Sequence, residues 1–340
     1  MRMHIAVDAN NVLTDRRGIG VYVRAVLRRF HGHDALTVTS LVRHPLPILL
    51  RAAMAREIGV PRVRIAATVP RDADVVWHPW NGMFVGAGPK NVVTMHDVAP
   101  FAFPNADRER RQREQQPFLR SAHSADRLLT DSHFSATEIT GRLGVPPDRI
   151  TVVPLAVEPF FAPGEAGALP GNLRSGRYVL YVGAIEERKN VQTLIAAHRN
   201  ALSAQGIDLA MVSDGSPIEG AVMLRDVGAE TLRDLYREAL VVAVPSTYEG
   251  FGLPALEAMS CGAPLIVSRA ASLPEVCGDA AYYVDEALSP QAWKQALEKV
   301  VGDAALRERL RCAGPQRASQ FSWDRTAEET LRVLEETARG

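Results

Sequence analysis

The sequence predicts an α/β protein made of two successive domains, each a parallel sheet wrapped by helices. Three observations carry this. Strand-like apolar runs alternate with helical stretches through both halves, the pattern of repeated βαβ units. A proline-, glycine- and alanine-rich passage, EPFFAPGEAGALPGNLRSG at residues 158–176, interrupts the alternation and has no apolar periodicity. A length of 340 residues is enough for two substantial cores. The expected division is a first domain at 1–158, a linker at 159–173 and a second domain at 174–320.

In the first half, strands are expected at 4–8, 37–42, 75–78, 92–96, 127–130 and 150–153, each a short apolar run between turn signals. Helical stretches fall at 20–30, 46–58, 107–125 and 135–143. The second half restarts with a strand at 178–183, followed by a helix at 190–202, a strand at 208–212 and a helix at 229–239. An apolar run at 239–244 then reads as a buried parallel strand. It leads into PSTYEGFGLPALEAMSCGAPLI, residues 245–266, the most informative segment of the chain. Glu249 opens a glycine turn, Pro254 stands where a first helical residue belongs, and good helix formers follow. Glu257 is expected in the first turn of that helix. A strand, a glycine turn and a helix N-terminus present free N–H groups to phosphate or sugar oxygens.

Composition narrows the class. The chain is 46% hydrophobic and 23% charged, as in ordinary globular proteins. No run of eighteen apolar residues occurs and the N-terminal segment enters a strand pattern at once, so neither a membrane span nor a signal peptide is expected. Cys261, Cys277 and Cys312 are odd in number, widely spaced and match no metal pattern, which suits a reducing cytoplasm. Charge is zero overall but uneven: residues 1–160 carry 21 lysines and arginines against 15 acidic residues, a net of +6. Such a basic half suits an anionic acceptor or a membrane surface, or is simply a solvated face. Arginines cluster in the stretch around Arg108–Arg120, interleaved with Glu109 and Glu114, which gives a basic face or a salt-paired one.

The EGFGLP string with its two glutamates separated by seven residues resembles the signature of the retaining glycosyltransferases of GT-B fold, the "glycosyl transferases group 1" family, and the GAIEERKN stretch resembles mannosyltransferases most. The resemblance extends over nearly the whole chain, through DANNVLTDRRGIGVYVRAVL, VVTMHDVAPFAFP, RLLTDSHFSATEI and YVGAIEERKN. It implies two Rossmann-like domains facing an interdomain cleft, with helix 323–338 packing back on the first. The implied reaction is transfer of a sugar, with retention and without a metal, from a nucleotide-diphosphate sugar to a glycan, lipid-linked or other hydroxyl acceptor. GDP-mannose is the favoured donor, and cell-envelope or polysaccharide synthesis the expected setting. No cofactor and no nucleic acid are implied, and the expected location is the cytoplasm or the inner face of the membrane. The chain departs from the family between residues 212 and 224, where a usual helical unit is missing, and at Ala184, where many relatives carry arginine. These departures keep open a binding or regulatory homologue that recognises the nucleotide sugar without transferring it.

On the resemblance, Glu257 binds the ribose hydroxyls, since a carboxylate accepts two hydrogen bonds from a diol. Glu249 sits beside the donor sugar, where it stabilises developing positive charge. Arg188 and Lys189 meet the diphosphate, where fixed cations favour departure of the leaving nucleotide. Backbone N–H groups of Phe251, Gly252 and Leu253, with Gly183, Gly18 and Gly20, are expected to approach the donor. His96, at a strand's carboxyl end, matches a histidine near the reacting sugar, with Asp97 beside it. His78 and Trp80, which end another strand on the same side, are acceptor-pocket candidates or packing residues. Arg16 and Arg17 are candidates for an anionic acceptor. Two other signals are set aside: Gly18-Ile19-Gly20 is too short for a dinucleotide fingerprint, and Asp72-Ala-Asp74 spells a metal-binding string at the wrong end of its strand.

Overall fold

The computed structural model describes residues 2–16 and 18–340. The chain forms two compact units, one of residues 1–155 and 322–340, the other of residues 156–321. Among the described residues, the first unit holds a seven-stranded sheet and the second a six-stranded one, all neighbours parallel.

The first unit is built from β1 (Met3–Asp8), α1 (Gly18–His31), β2 (Leu36–Leu41), α2 (Arg51–Ile58), β3 (Arg64–Ala66), β4 (Val75–His78), β5 (Asn91–Thr94), α3 (Ala99–Ala102), α4 (Arg108–Ser124), β6 (Arg127–Thr130), α5 (His133–Leu143) and β7 (Ile150–Val152). The strand order is β3-β2-β1-β4-β5-β6-β7, so the winding reverses between β1 and β4. Loops after those two strands part there, at the carboxyl ends where open α/β sheets bind ligands. The central strands β4 and β5 are buried throughout, which is why they read as continuous apolar runs. Helix ends follow local chemistry: Asp107 accepts from the Arg110 N–H at 2.7 Å to start α4, and Ser132 from the Ser135 N–H at 3.0 Å to start α5.

The second unit runs β8 (Tyr178–Val182), α6 (Val191–Ala201), β9 (Asp208–Val212), β10 (Val222–Leu224), α7 (Ala229–Glu238), β11 (Val241–Val244), α8 (Leu253–Ser260), β12 (Leu265–Ser268), α9 (Leu273–Cys277), β13 (Tyr282–Val284), α10 (Pro290–Gly302) and α11 (Ala304–Ala318). Its order, β10-β9-β8-β11-β12-β13, reverses between β8 and β11. Trp293 of α10 is fully buried in the same apolar cluster as β8, β9 and α6. The chain passes from β9 to β10 through a short loop with no helix.

The stretch 159–173, expected as a linker, is fastened to the second unit. Arg237 of α7 donates to the carbonyls of Ala162 at 2.8 Å and Glu165 at 2.6 Å, and the Asp234 carboxylate accepts from the Gly167 N–H at 3.0 Å. Phe161 and Leu173 are buried. A segment without periodicity is thus held by backbone hydrogen bonds to an Asp/Arg pair one helical turn apart.

The last helix, α12 (Trp323–Arg339), belongs to the first unit and packs on α1. Ser322 caps it, and its Thr326 hydroxyl donates to the Pro154 carbonyl at 2.7 Å. Trp323 is buried against Tyr22, centroids 6.2 Å apart, and Tyr22 meets Trp77 edge-on at 5.7 Å. Removing that indole empties the joint between α1, α12 and β4. Trp323→Ala should therefore destabilise the first unit by about 3–5 kcal/mol, read as an earlier urea midpoint for that unit while the second unit's transition stays in place.

Candidate functional site

The reversal between β8 and β11 brings together the loops 183–190 and 245–252, which contain most of the residues singled out for the donor. Gly183 leaves β8 with φ +148°, and its N–H donates to the Val212 carbonyl at 3.0 Å. Asn190, also at positive φ, ends the first loop and donates to the carbonyls of Pro245 at 3.1 Å and Ala287 at 2.7 Å. Thr247 closes the second loop onto the first, its N–H reaching the Arg188 carbonyl at 2.8 Å.

Glu249 lies at the centre. It is buried, and its Oε1 accepts from Lys189 Nζ at 2.5 Å and from the Ser246 hydroxyl at 2.7 Å. Arg188 Nη1 is 3.7 Å from Oε2, while its Nε pairs with the half-exposed Glu186 at 2.8 Å. Two cations thus face two carboxylates. A buried carboxylate tolerates this position only because cation and hydroxyl donors surround it. The Ser272 hydroxyl lies 3.0 Å from the Glu249 carbonyl and 2.8 Å from that of Phe251, fixing the turn from behind.

The turn itself needs glycine. Gly252 has φ +101°, and a Cβ there would come within 2.9 Å of Leu273 Cδ2. Phe251 is buried against Phe321, centroids 5.7 Å apart, so its side chain anchors the loop. Helix α8 begins at Leu253 with Pro254 second, and no side chain caps it. Its Ala255 and Leu256 N–H groups turn back to the Gly252 carbonyl at 3.0 and 3.2 Å and Pro254 has none, so what the helix start offers an anion is chiefly the positive end of its dipole.

Glu257 lies in the second turn of α8, not the first as expected from Pro254, because the helix starts one residue earlier and the glutamate is its fifth residue. Its Oε2 accepts from the Tyr236 hydroxyl of α7 at 2.8 Å. Burial raises its pKa to about 7, only partly offset by that hydrogen bond. Sequence reading offered no sign of Tyr236, Ser246 or Ser272, whose partners lie 21, 3 and up to 23 residues away.

The candidates of the first unit are placed differently. The His96 ring is buried. Its Nδ1 is 2.7 Å from Asp131 Oδ2 and its Nε2 is 3.1 Å from the Pro79 carbonyl. Burial disfavours the imidazolium, but the Asp131 charge and these acceptors outweigh it and hold the pKa above the ordinary value. With both nitrogens engaged by protein, His96 fixes the strand-end loops and offers no free ring nitrogen. Asn81, at φ 62°, accepts from the His96 N–H at 2.6 Å. Asp97 accepts from the Ala99 N–H at 2.9 Å and so starts α3. His78 is fully buried, near Asn91 at 3.3 Å, and burial lowers its pKa to about 4. Trp80 is also buried and donates to the Asp8 carbonyl at 2.8 Å. Both side chains are thus enclosed within the first unit.

Gly20 is required by close packing, since a Cβ would stand 2.0 Å from the Asp15 carbonyl oxygen. Gly18 opens α1, partly exposed. Arg16 pairs with Glu57. Arg17 lies outside the described residues. Asp72 and Asp74 face the amino half of β1: Asp74 accepts from the His4 N–H at 2.7 Å, and Asp72 lies 3.2 Å from the His4 ring. A carboxylate that sequence reading passed over, Asp8, ends β1 fully buried with Oδ2 unpartnered; burial raises its pKa, opposed by hydrogen bonds from Asn10. Among the described residues, no helix is long and apolar enough to cross a membrane.

Residues 14–159 match the family model "Glycosyltransferase Family 4" and residues 176–303 match "Glycosyl transferases group 1". O-antigen chain mannosyltransferase B of Escherichia coli is 34% identical over 284 residues, 76% of this chain and 73% of that protein. The chain belongs to the group 1 glycosyltransferases. A D-inositol 3-phosphate glycosyltransferase of Paenarthrobacter aurescens is 28% identical over 88% of this chain and 81% of its own length. Among solved structures, Anabaena HepE in complex with UDP-glucose superposes with TM-score 0.74 at 14% identity, covering 98% of this chain and 100% of that one. Sucrose-phosphate synthase from Thermosynechococcus elongatus gives 0.69 at 19% identity, covering 98% and 99%. These two likenesses establish the GT-B fold.

The Glu257 environment predicts a pH signature in stability. The group binds its proton more tightly folded, with a pKa of about 7, than unfolded, at 4.5, so the folded state carries the extra proton between those values. Stability should therefore fall as pH rises from 4.5 to about 7, by on the order of 2–3 kcal/mol. Urea titrations across that window should show the slope in the wild type, and Glu257→Gln should flatten it.

Proposed function

We propose that this group 1 glycosyltransferase transfers a hexose from a nucleotide-diphosphate sugar to a hydroxyl acceptor with retention of anomeric configuration and without a metal. The observation that carries the proposal is the buried Glu249, held by Lys189, Arg188 and Ser246 where β8 and β11 diverge, eight residues before Glu257. The donor binds in the second unit. Its ribose hydroxyls donate to Glu257, and its diphosphate meets the N-terminus of α8 with Arg188 and Lys189. Glu186 is the exposed partner in the Arg188 pair, so an arriving phosphate displaces it at little cost. Arg188 then stabilises charge on the departing diphosphate, while Glu249 stays beside the sugar and opposes the positive charge that develops there. The cations supply the electrostatics that a metal would otherwise provide.

A mannosyl donor, GDP-mannose, is the first choice. The E. coli relative is named a mannosyltransferase. So is the MMP α-(1→4)-mannosyltransferase of Mycolicibacterium hassiacum, 32% identical over 64% of this chain, although the chain spans only 55% of that protein. The acceptor is a glycan or lipid-linked hydroxyl bound on the first unit, with His96 as a positioning residue that fixes the surrounding loops. Polysaccharide synthesis on the cytoplasmic side is the setting.

The test is a thermal-shift panel with GDP, UDP, ADP and their common sugars. One base should raise the second unit's melting temperature, since a ligand at a hundred times its Kd adds about 2.7 kcal/mol. Glu257→Ala should abolish that shift, and in the wild type donor affinity should rise from pH 6 to pH 8 as the carboxylate ionises. Slow donor hydrolysis or transfer should persist in EDTA and drop by at least a hundredfold in Glu249→Ala, and the product should keep the donor's anomeric configuration by NMR. Donor binding without turnover would instead mark a regulatory homologue, a reading that the short β9–β10 loop and Ala184 would then explain.

A further inference from the structure

Both hydrogen-bond partners of the His96 ring are acceptors. The Pro79 carbonyl, 3.1 Å from Nε2, has no proton to give, so Nε2 must carry one. Asp131 Oδ2 lies 2.7 Å from Nδ1, the length of a charge-assisted bond, and that contact needs a proton of its own. The pair therefore holds two protons where a neutral imidazole beside a carboxylate has one. The negative charge of Asp131 places the second on the ring, so His96 stands as an imidazolium with both side chains buried. Asp131 depends on the ring in turn, because its other oxygen, Oδ1, is buried with no hydrogen-bond partner.

The surroundings bear on that charge from several elements. Burial is the largest influence and opposes it; Asp131 and then Asp97, one residue along the chain, favour it and prevail. Tyr22 of α1 meets the ring edge-on, centroids 5.1 Å apart, with its hydroxyl 3.2 Å from that of Thr94. The Ser135 hydroxyl of α5 donates to the His96 carbonyl at 3.0 Å. Pro79 and Asn81 belong to the loop after β4, the strand at which the winding reverses. Asn81 is held twice in its left-handed conformation: its N–H donates to the Thr94 carbonyl at 3.1 Å, and its side chain accepts from the His96 N–H at 2.6 Å. One ring thus ties together the ends of β4, β5 and β6.

We infer that Asp131 is a positioning residue that keeps His96 doubly protonated, so that the imidazolium clamps the Pro79–Asn81 loop at the carboxyl end of the first sheet. The second proton is the fastening. Without it Nδ1 turns a lone pair on the carboxylate, and ring and loop must part from Asp131. Because the folded-state pKa lies above 6.5, the order that the clamp adds is complete below that value and is lost as pH rises through the higher one. Open α/β sheets take ligands at this end; the loop's use by an acceptor rests on the function proposed above.

Long-range proton–nitrogen NMR on the full chain with labelled histidine, assigned by loss of the signal in His96→Gln, should show both His96 ring nitrogens protonated at about pH 7.5. In the isosteric Asp131→Asn the amide donates to a bare Nδ1, and the ring should carry a single proton at that pH. Amide exchange reads the clamp itself: the Asn81 N–H should exchange about tenfold faster in Asp131→Ala, while amides of β11 in the second unit stay as in wild type. Once a donor is in hand, Asp131→Ala should also raise the acceptor KM about tenfold, with kcat and donor affinity little changed. A singly protonated His96 in the wild type, or an imidazolium that survives in Asp131→Asn, would overturn the inference. So would an Asn81 amide equally slow in Asp131→Ala, or an acceptor KM that does not move. A chain that binds no nucleotide would sink the donor reading alone, and the NMR and exchange results would still decide whether Asp131 holds the clamp.

Discussion

The second unit's site depends on one buried ion pair, Lys189 with Glu249. It joins the loop after β8 to the loop after β11, so the reversal in strand order becomes a fixed geometry and not merely a gap. Taking either charge out of water is costly, and the pair is tolerated only because Ser246 and Arg188 complete its shell. Loss of Glu249 leaves the Lys189 ammonium buried without its carboxylate, at about 3–5 kcal/mol, whereas loss of Lys189 leaves Glu249 with Arg188 and Ser246. The same contact thus orders the loops and places a carboxylate beside the carboxyl ends of the strands. Stability and loop geometry cannot be separated there by a single substitution.

Glu257 is coupled to its surroundings in another way. It lies away from the cations, with a phenol as its partner, and burial pushes it toward the neutral form. The two glutamates of the signature therefore stand in different electrostatic settings, Glu249 beside two cations and Glu257 beside a phenol with burial pushing it toward its neutral form.

Much of this was legible in the sequence because the signals were local. Buried parallel strands such as Val75–His78 and Val241–Val244 appear as apolar runs, and the glycine turn at 250–252 announces a helix by its composition alone. What stayed hidden was set by distant partners. The 159–173 stretch has linker composition, yet Arg237 and Asp234, some 70 residues further on, hold it down. His96 ends a strand at the ligand side, but Asp131 and Pro79 turn its ring inward. Nothing near His78 or Trp80 foretold that both would be enclosed. Helices α10 and α11 and the short strands β3, β10, β12 and β13 went unread, three of those strands being only three residues long.

The placement of α12 sets the order in which the molecule can be made. The second unit is a continuous insertion, residues 156–321, within a first unit whose helix α12 follows that insertion in the chain. At about 5–20 residues per second, the groove that receives Trp323 waits roughly 10–40 s after β7 has emerged. The second unit has its whole sequence available before α12 emerges. During that interval Tyr22 lacks the indole that packs on it, so an aromatic face of the first unit stays open to water.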